Sequence, residues 1–546
     1  MPAEKMTVAF SVACGAAAAS IAVCLMLATR ETGEGSTNGT ELVCDPLLQP
    51  FGVVAWVISF AFSALWLLTH WRLQAFLKDP AKWSSWGSGG KIMAARQKSQ
   101  AKGQELPMVS VLLPVKGVHE RTLEHWRSQV KASHGGPMEF IFCMESEEDP
   151  AYAAALDFRR ECGDSAVIKI VSCGLSFYCS QKIHNLLKGV TLIHKDSDYV
   201  LFLDDDAQMS STILSDLVYT LEADAEVLIA SGWPNDFFSP DLEFMPTFAS
   251  FMLLGYRCLS HLSMGTLYPT VLWGGCMLLR RSELMDPTIG VLEAWKASGY
   301  SDDMIMIGRA RKAGRKIAIP PTAFLPSRIE QDYSMQRHVN YIRRQMFVCG
   351  TYHDTYDRLN NLFLLTVVSM VFVVFGCFNF QFLALYSLGG VLFALVNEPH
   401  TLLPSALMQP HQCGQLQASP AALYLAVLAA AVLWVYAKMS CYRSVILVCE
   451  HVAGRPKAYS NTIGSLRFAA LLFLGLAAQC ALQGVAAAIA FCTNSIVWSG
   501  VRYYRRKGHV SAVYRTDKDG KMYTVEIERA KNEAYRSYTT DGGVAE

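Results

Sequence analysis

Apolar residues fall in blocks along this chain, and the longest stretch between them alternates. Residues 6–29 are apolar and alanine-rich, the length of a bilayer span or of a cleaved signal peptide. A second block, 51–70, comes soon after. Hydrophobicity resumes at 362–396, which has room for one tilted helix or a tight pair. It continues at 421–439 and at 468–498, the latter holding one helix or two. The stretch 106–358 has no spanning run. There the period predicts strands at 108–113, 139–144, 167–171, 199–203 and 227–230, with helices at 180–194 and 210–222. This alternation predicts an α/β domain, a mostly parallel sheet covered by helices. Ligands bind such sheets beyond the carboxyl ends of the strands, here near Lys116, Glu145 and Asp204.

Composition agrees with a membrane protein that carries a soluble domain. Of 546 residues, 52% are apolar and 17% charged, and the net charge of +1 gives no global field for nucleic acid. The 16 cysteines include no Cys-x-x-Cys pair and read as reduced, buried residues. After Trp71 the chain turns basic at Arg72, Lys78, Lys82, Lys91, Arg96, Lys98 and Lys102. The positive-inside rule places the domain after this basic run in the cytosol and puts the Asn38-Gly39-Thr40 sequon on the lumenal side. The expected organisation is a span at 1–30, a lumenal loop at 31–50, a span at 51–70 and a cytosolic domain at 71–360. A C-terminal membrane region at 361–500 and a charged, unstructured tail at 501–546 complete it. The spans show no buried charge that would mark a transport path.

The candidate chemistry centres on Asp204-Asp205-Asp206, three carboxylates directly after an apolar strand. Like charges this close repel unless a cation sits among them, and hard oxygen donors suit Mg²⁺ or Mn²⁺, which in turn suit a diphosphate. A solvated acidic turn is the plainer reading of the triplet alone. Around it, Lys116-Gly117 and Glu145 end the first two strands, as an ordinary turn and acidic loop or as ligand contacts. Lys182 and Asn185 open a helix, as surface residues or as contacts to phosphate and to base or ribose. Trp273-Gly274-Gly275 permits close backbone packing against a sugar, or is a bulge. Asp302 reads as an N-cap, and Asp303 as a general base for a hydroxyl acceptor. Arg343 and Arg344 lie on an amphipathic stretch, 335–349, that suits a diphosphate or anionic head groups.

The order of these pieces resembles the family-2-like GT-A glycosyltransferases, and within them the ceramide glucosyltransferases of plant type. The residues that carry it are His125 to Gln129, Met144 to Tyr152, Cys179 to Asn185, Tyr199 to Asp206, Leu272 to Met277, Gly299 to Met304, Asn340 to Gln345 and Trp498 to Tyr503. The resemblance implies a cytosolic GT-A domain flanked by transmembrane helices, in the Golgi or endoplasmic reticulum. It places the first acidic position at Glu145, metal binding within Asp204 to Asp206, and the catalytic base at Asp303. The family's Gln/Arg-x-x-Arg-Trp motif departs here: Asn340 and Arg344 replace its ends, and Arg343 matches the arginine. The implied reaction joins UDP-glucose and ceramide with inversion, and the partners are a UDP-sugar, ceramide or a related lipid, and the bilayer. Residues 237–268, rich in Phe, Met, Leu and Tyr, are expected at the interface. The competing readings are a transferase for another membrane lipid, a processive polysaccharide synthase, and a non-catalytic scaffold.

Overall fold

The computed structural model describes residues 48–79, 106–132, 134–238, 246–261, 272–320, 322–330, 332–397, 408–410, 416–418, 420–453 and 465–515. The first apolar block, the Asn38 sequon and most of the basic run after Trp71 lie outside these residues.

The expected sheet is present, with one strand reversed. Its seven strands are β1 (Val109–Pro114), β2 (Met138–Met144), β3 (Val167–Ser172), β4 (Tyr199–Leu203), β5 (Val227–Ser231), β7 (Cys276–Arg280) and β8 (Lys316–Ala318). They lie in the order β3-β2-β1-β4-β7-β5-β8. The first four are parallel, as is β5 with β8, and β7 runs antiparallel to both its neighbours. β1, β4 and β5 are buried nearly throughout, which is why they read as apolar runs without alternation. The helices α1 (Leu48–Lys78), α2 (Thr122–Lys131), α3 (Pro150–Cys162), α4 (Gln181–Val190) and α5 (Ile213–Ala223) come in chain order, and all but α1 belong to this α/β core. Two apolar clusters, one on each face, close the sheet.

A parallel pair, β6 (Trp233–Phe237) with β9 (Phe324–Arg328), extends the core toward the apolar helices. In the chain, α6 (Phe248–Cys258) comes after β6. Short helices α7 (Arg281–Leu284) and α8 (Val291–Lys296) precede α9 (Asp302–Lys312), and α10 (Met335–Cys349) spans the stretch predicted as amphipathic. The block at 362–396 lies within one unbroken helical run: α11 (Thr355–Phe363), a π-type stretch at Leu364–Phe378, and α12 (Asn379–Asn397). A two-stranded ribbon, β10 (Met408–Pro410) with β11 (Leu416–Ala418), precedes α13 (Pro420–Ala453) and α14 (Leu466–Cys492). The block at 468–498 is therefore one helix and then a strand. Three helical segments among the described residues are long and apolar enough to cross a membrane: Val54–Lys78, Leu425–His451 and Leu466–Cys492.

Two expectations need correction. The segment after residue 500 is not a featureless tail as far as Arg515. β12 (Ser495–Trp498), β13 (Val501–Arg506) and β14 (His509–Arg515) form an antiparallel sheet whose inward residues Ile496, Val501, Tyr503, Val510 and Val513 bury against Tyr300 and Phe347. The period-2 pattern was there, masked by the arginines on the outer face. Residues beyond 515 lie outside those described. Second, a charge is buried within an apolar helix. Lys438 of α13 lies 5.4 Å from the Trp434 ring and 5.9 Å from the Trp66 ring. Indole faces stabilise an ammonium that has left water.

Candidate active site

The reversed strand assembles the site. Because β7 runs against β4, Leu203 pairs with Cys276, and the residues before β7 lie beside those after β4. Asp204 N–H donates to Gly275 O at 2.9 Å. A wholly parallel sheet would have sent Trp273-Gly274-Gly275 to the opposite edge. The turn after β4 is held by a residue of α2. The Gln129 side-chain amide donates to Asp204 O at 3.0 Å and to Ala207 O at 2.8 Å. Gln129 closes the run 125–129 that carries part of the family resemblance, and the sequence gives no sign of this role.

Lys182 is the hub. Its ammonium lies 2.8 Å from Asp204 Oδ1 and 2.9 Å from Asp302 Oδ2, the latter off the line of an ideal hydrogen bond, and it donates to Gly274 O at 3.1 Å. It sits at the start of α4, where Ser180 caps the helix by accepting from Ile183 N–H. Burial works against its charge, but Asp204 and Asp302 together raise its pKa above the usual lysine value. The residue expected to meet a phosphate is instead engaged by two carboxylates. Asn185 is also displaced from its expected role. It is buried, donates to Cys143 O at 3.1 Å and accepts from Gln181 at 2.8 Å, so it braces α4 against β2.

Asp302 and Asp303 begin α9, and Ser301 occupies the N-cap. Asp303 Oδ1 accepts from its neighbour Met304 N–H at 2.7 Å and from Ser301 Oγ. Its carboxyl lies against Gly274: a Cβ added there would come within 3.1 Å of Asp303 Oδ2. A side chain at position 274 would crowd the Asp303 carboxyl. Gly275 packs flat against the Trp273 indole, which is half-buried on the sheet. Burial first, and then the Asp303 charge, push the Cys349 thiol at the end of α10 up to about 11.

The other two aspartates of the triplet do not obey strand alternation, because β4 ends at Leu203 and Asp205 and Asp206 lie in a turn. Burial and then the neighbouring aspartates raise the pKa of Asp205 well above the usual value. Burial and then Asp204 also raise the pKa of Asp206, opposed by Arg257. Asp206 is exposed to solvent. Sequence reasoning missed Arg257. It is near the end of α6, pairs with buried Asp236 at 2.7 Å and lies 5.4 Å from the Tyr341 ring. Only the fold brings it near Asp206.

Lys116 and Glu145 do meet, at 2.7 Å across the ends of β1 and β2. Next to them, Gly117 N–H donates to Asp149, which also caps α3. Arg343 and Arg344 both lie on α10. Arg344 stacks at 4.9 Å on the ring of Trp498 from β12 and at 5.7 Å on that of Tyr341. An aromatic partner thus comes from the C-terminal sheet where the motif would place tryptophan within the helix. Tyr503 of the same sheet accepts from Gln181 N–H at 3.3 Å and meets the Tyr300 ring at 5.3 Å. It joins the turn before α9 to the start of α4.

The donors suit a hard divalent ion of a particular kind. Among the described residues, no three His, Cys, Asp or Glu side chains are grouped to hold an ion unaided. Mg²⁺-type ions are commonly bound by one or two carboxylates, with substrate phosphate and water completing the shell. Asp205 and Asp206, whose charges repel and are relieved by a cation, fit that arrangement.

Asp302 gives the site a pH response. Burial lifts its pKa to about 6, against the pull of Lys182 and with the help of Asp303. The value exceeds the ordinary 3.8, so the folded protein holds this proton more tightly than the unfolded chain. Its contribution to stability therefore falls as pH rises from about 4 to about 6. Protonation below about 6 removes one counter-charge from Lys182. We expect kcat/KM to fall about tenfold per pH unit on the acid side of that value. A pH profile of the wild type and of Asp302→Asn checks this: the limb near 6 should be missing from the variant.

Comparison with known proteins then identifies the chain. No curated protein matches the sequence. Among solved structures it is similar to the mannosyltransferase PcManGT from Pyrobaculum calidifontis in complex with GDP-Man and Mn2+. The identity is 14% and the TM-score 0.33, over 80% of this chain and 98% of that one. It is also similar to glucosyl-3-phosphoglycerate synthase from Mycobacterium tuberculosis in complex with Mn2+, UDP and phosphoglyceric acid. There the identity is 14% and the TM-score 0.28, over 48% and 82% of the two chains. Residues 53–441, most of the chain, match glycosyl transferase family 21, and the protein belongs to that family of sugar transferases.

Proposed function

We propose that this protein transfers glucose from UDP-glucose to the primary hydroxyl of ceramide, with inversion at the anomeric carbon. The observation that carries the reading is the meeting of the Asp204 turn, Gly274 and Asp302 around Lys182, with Asp303 against Gly274, in a chain of this family. Asp303 accepts the proton of the attacking hydroxyl. Its carboxylate is oriented by Ser301 and the Met304 amide, so the lone pair for that proton is held in place. Asp206 and Asp205 would hold Mg²⁺ or Mn²⁺, which when bound neutralises the diphosphate of the departing UDP. Arg257 adds positive charge beside Asp206, and Arg343 of α10 would bind the diphosphate. Lys182 offsets the charges of Asp204 and Asp302. Glu145, with Lys116, would contact the uracil or ribose. The acceptor's tails stay in the bilayer at the apolar helices, and the catalytic domain faces the cytosol, in the Golgi or endoplasmic reticulum. Residues 248–258 of the segment expected at the interface form α6, packed against α14, which suits that route.

The test uses detergent-solubilised full-length protein with ceramide and UDP-glucose or UDP-galactose, and lipid products are read by mass spectrometry and sugar chromatography. The expected product is glucosylceramide, lost on adding EDTA and regained with Mg²⁺ or Mn²⁺. Metal-dependent turnover of the UDP-sugar without a ceramide product would move the acceptor to another membrane lipid. Glucosylceramide formation unaffected by chelation would overturn the metal role of Asp205 and Asp206.

A further inference from the structure

Helix α14 is apolar enough to cross a bilayer, but its packing does not fit a crossing. Both of its ends contact the catalytic domain. At the start, Phe468 packs on Phe251 of α6 at 5.6 Å and on Phe238 at 6.1 Å. At the end, Arg505 of β13 donates to Ala490 O at 2.5 Å and to Phe347 O of α10 at 2.7 Å. Between them, Gly475 and Gly255 bring α14 and α6 into backbone contact, and His338 of α10 bonds Gln479 at 2.6 Å. A helix of 27 residues at about 1.5 Å per residue would hold its ends about 40 Å apart across a bilayer. Soluble-domain helices carrying Arg257, Arg337, Arg343 and Arg344 could not then flank it along its length without entering lipid.

Chain parity leads to the same place. α1 and α13 run parallel: Trp66 meets Trp434 at 5.2 Å, and Phe76 meets His451 at 5.9 Å. α13 arrives at the catalytic domain, where Tyr442 donates to Asp236 O at 2.8 Å. The helical run through α12 is antiparallel to α1, with Gly376 against Ile58 and Phe380 against Trp56. It leaves the catalytic side, and α13 returns to it. One more crossing would carry β12–β14 to the far side, yet Arg515 bonds Ser176 O at 2.6 Å within the catalytic domain.

We propose that α14 lies in the plane of the membrane as an interfacial helix, with both ends on the catalytic side. Its exposed stripe, Leu466, Leu474, Val485, Ile489 and Phe491, meets the lipid surface. The bilayer is the occupant because α12 and α13 also expose apolar residues, and the stripe bears no charge apart from Arg467 near its start. The helix is apolar all round for this reason: lipid lies on one side and protein core on the other. One helix layer then separates lipid from α6, whose Arg257 reaches toward Asp206. The inference does not depend on which lipid accepts the sugar.

The experiment uses full-length protein in sealed vesicles and an impermeant maleimide. Arg467→Cys and Arg506→Cys bracket α14, and Lys131→Cys reports the catalytic domain. All three should label from the same side. Labelling of 467 and 506 from opposite sides would overturn the proposal. Spin labels at Leu474→Cys and Ile489→Cys give a second reading by depth measurement. An in-plane helix holds them at one depth within a few ångströms, whereas a crossing separates them by about 22 Å. A separation of that size would also overturn it.

Discussion

Changing Asp303 to Asn lowers the transfer rate by about 10²- to 10⁴-fold, the usual contribution of a positioned general base. The substitution keeps the size and one acceptor oxygen, so the contacts to Met304 N–H and Ser301 can persist. Donor affinity is expected to change little, because Lys182 and the Asp204 turn lie on the other side of Gly274. The check is a split reading: kcat for sugar transfer, alongside the Kd for the sugar donor. A variant that binds donor normally and fails in transfer is the expected result. Equal loss of binding and rate would assign Asp303 to the donor site. Retained transfer would remove it from the chemistry.

Changing Lys182 to Met acts on folding as well as on rate. The ammonium is largely buried and is shared by Asp204 and Asp302. Removing one partner of a buried ion pair typically costs about 3–5 kcal/mol, because the remaining charges are left uncompensated. Here two carboxylates lose their counter-ion beside Asp205 and Asp206, which already resist ionisation. Thermal unfolding temperature at neutral pH should fall clearly. The deficit should shrink below about pH 6, where Asp302 takes up a proton and the repulsion eases. A deficit equal at pH 5 and pH 7.5 would mean that Lys182 acts through packing of its stem. Activity should fall with it, since Asp204 and Asp302 would no longer be drawn to a common point.

The two variants separate two kinds of residue at one site. Asp303 is held by local contacts within its own helix start. Lys182 is held by groups from β4, β7 and α9, which are distant in sequence. Local geometry survives a conservative change, while a hub shared among elements does not.

The same distinction explains what could be read without the fold. The strands β1 to β5 and the helices α4 and α5 were legible because they are buried strands or amphipathic helices with short connections. Asp204 to Asp206 and Asp303 stood out because clustered carboxylates beside an apolar strand or at a helix start have few bland explanations. Mutual contacts were not legible. Asn185 and Lys182 share one helix turn and similar chemistry, yet one faces the Cys143 carbonyl and the other two carboxylates. Nothing local distinguishes them.

Residue pattern alone determined the α/β core, the apolar helices, the acidic turn after β4 and the carboxylates that begin α9. These depend on period, length and charge within a few neighbouring residues. The tertiary structure decided the rest. The reversal of β7 set Gly274 between Asp204 and Asp303, Arg257 came in from α6, and Trp498 came from a sheet more than 150 residues beyond Arg344. It also decided that both ends of α14 meet the catalytic domain. Strand direction, cross-element stacking and helix orientation depend on contacts between segments far apart in the chain, and hydrophobic pattern carries no record of which segments meet.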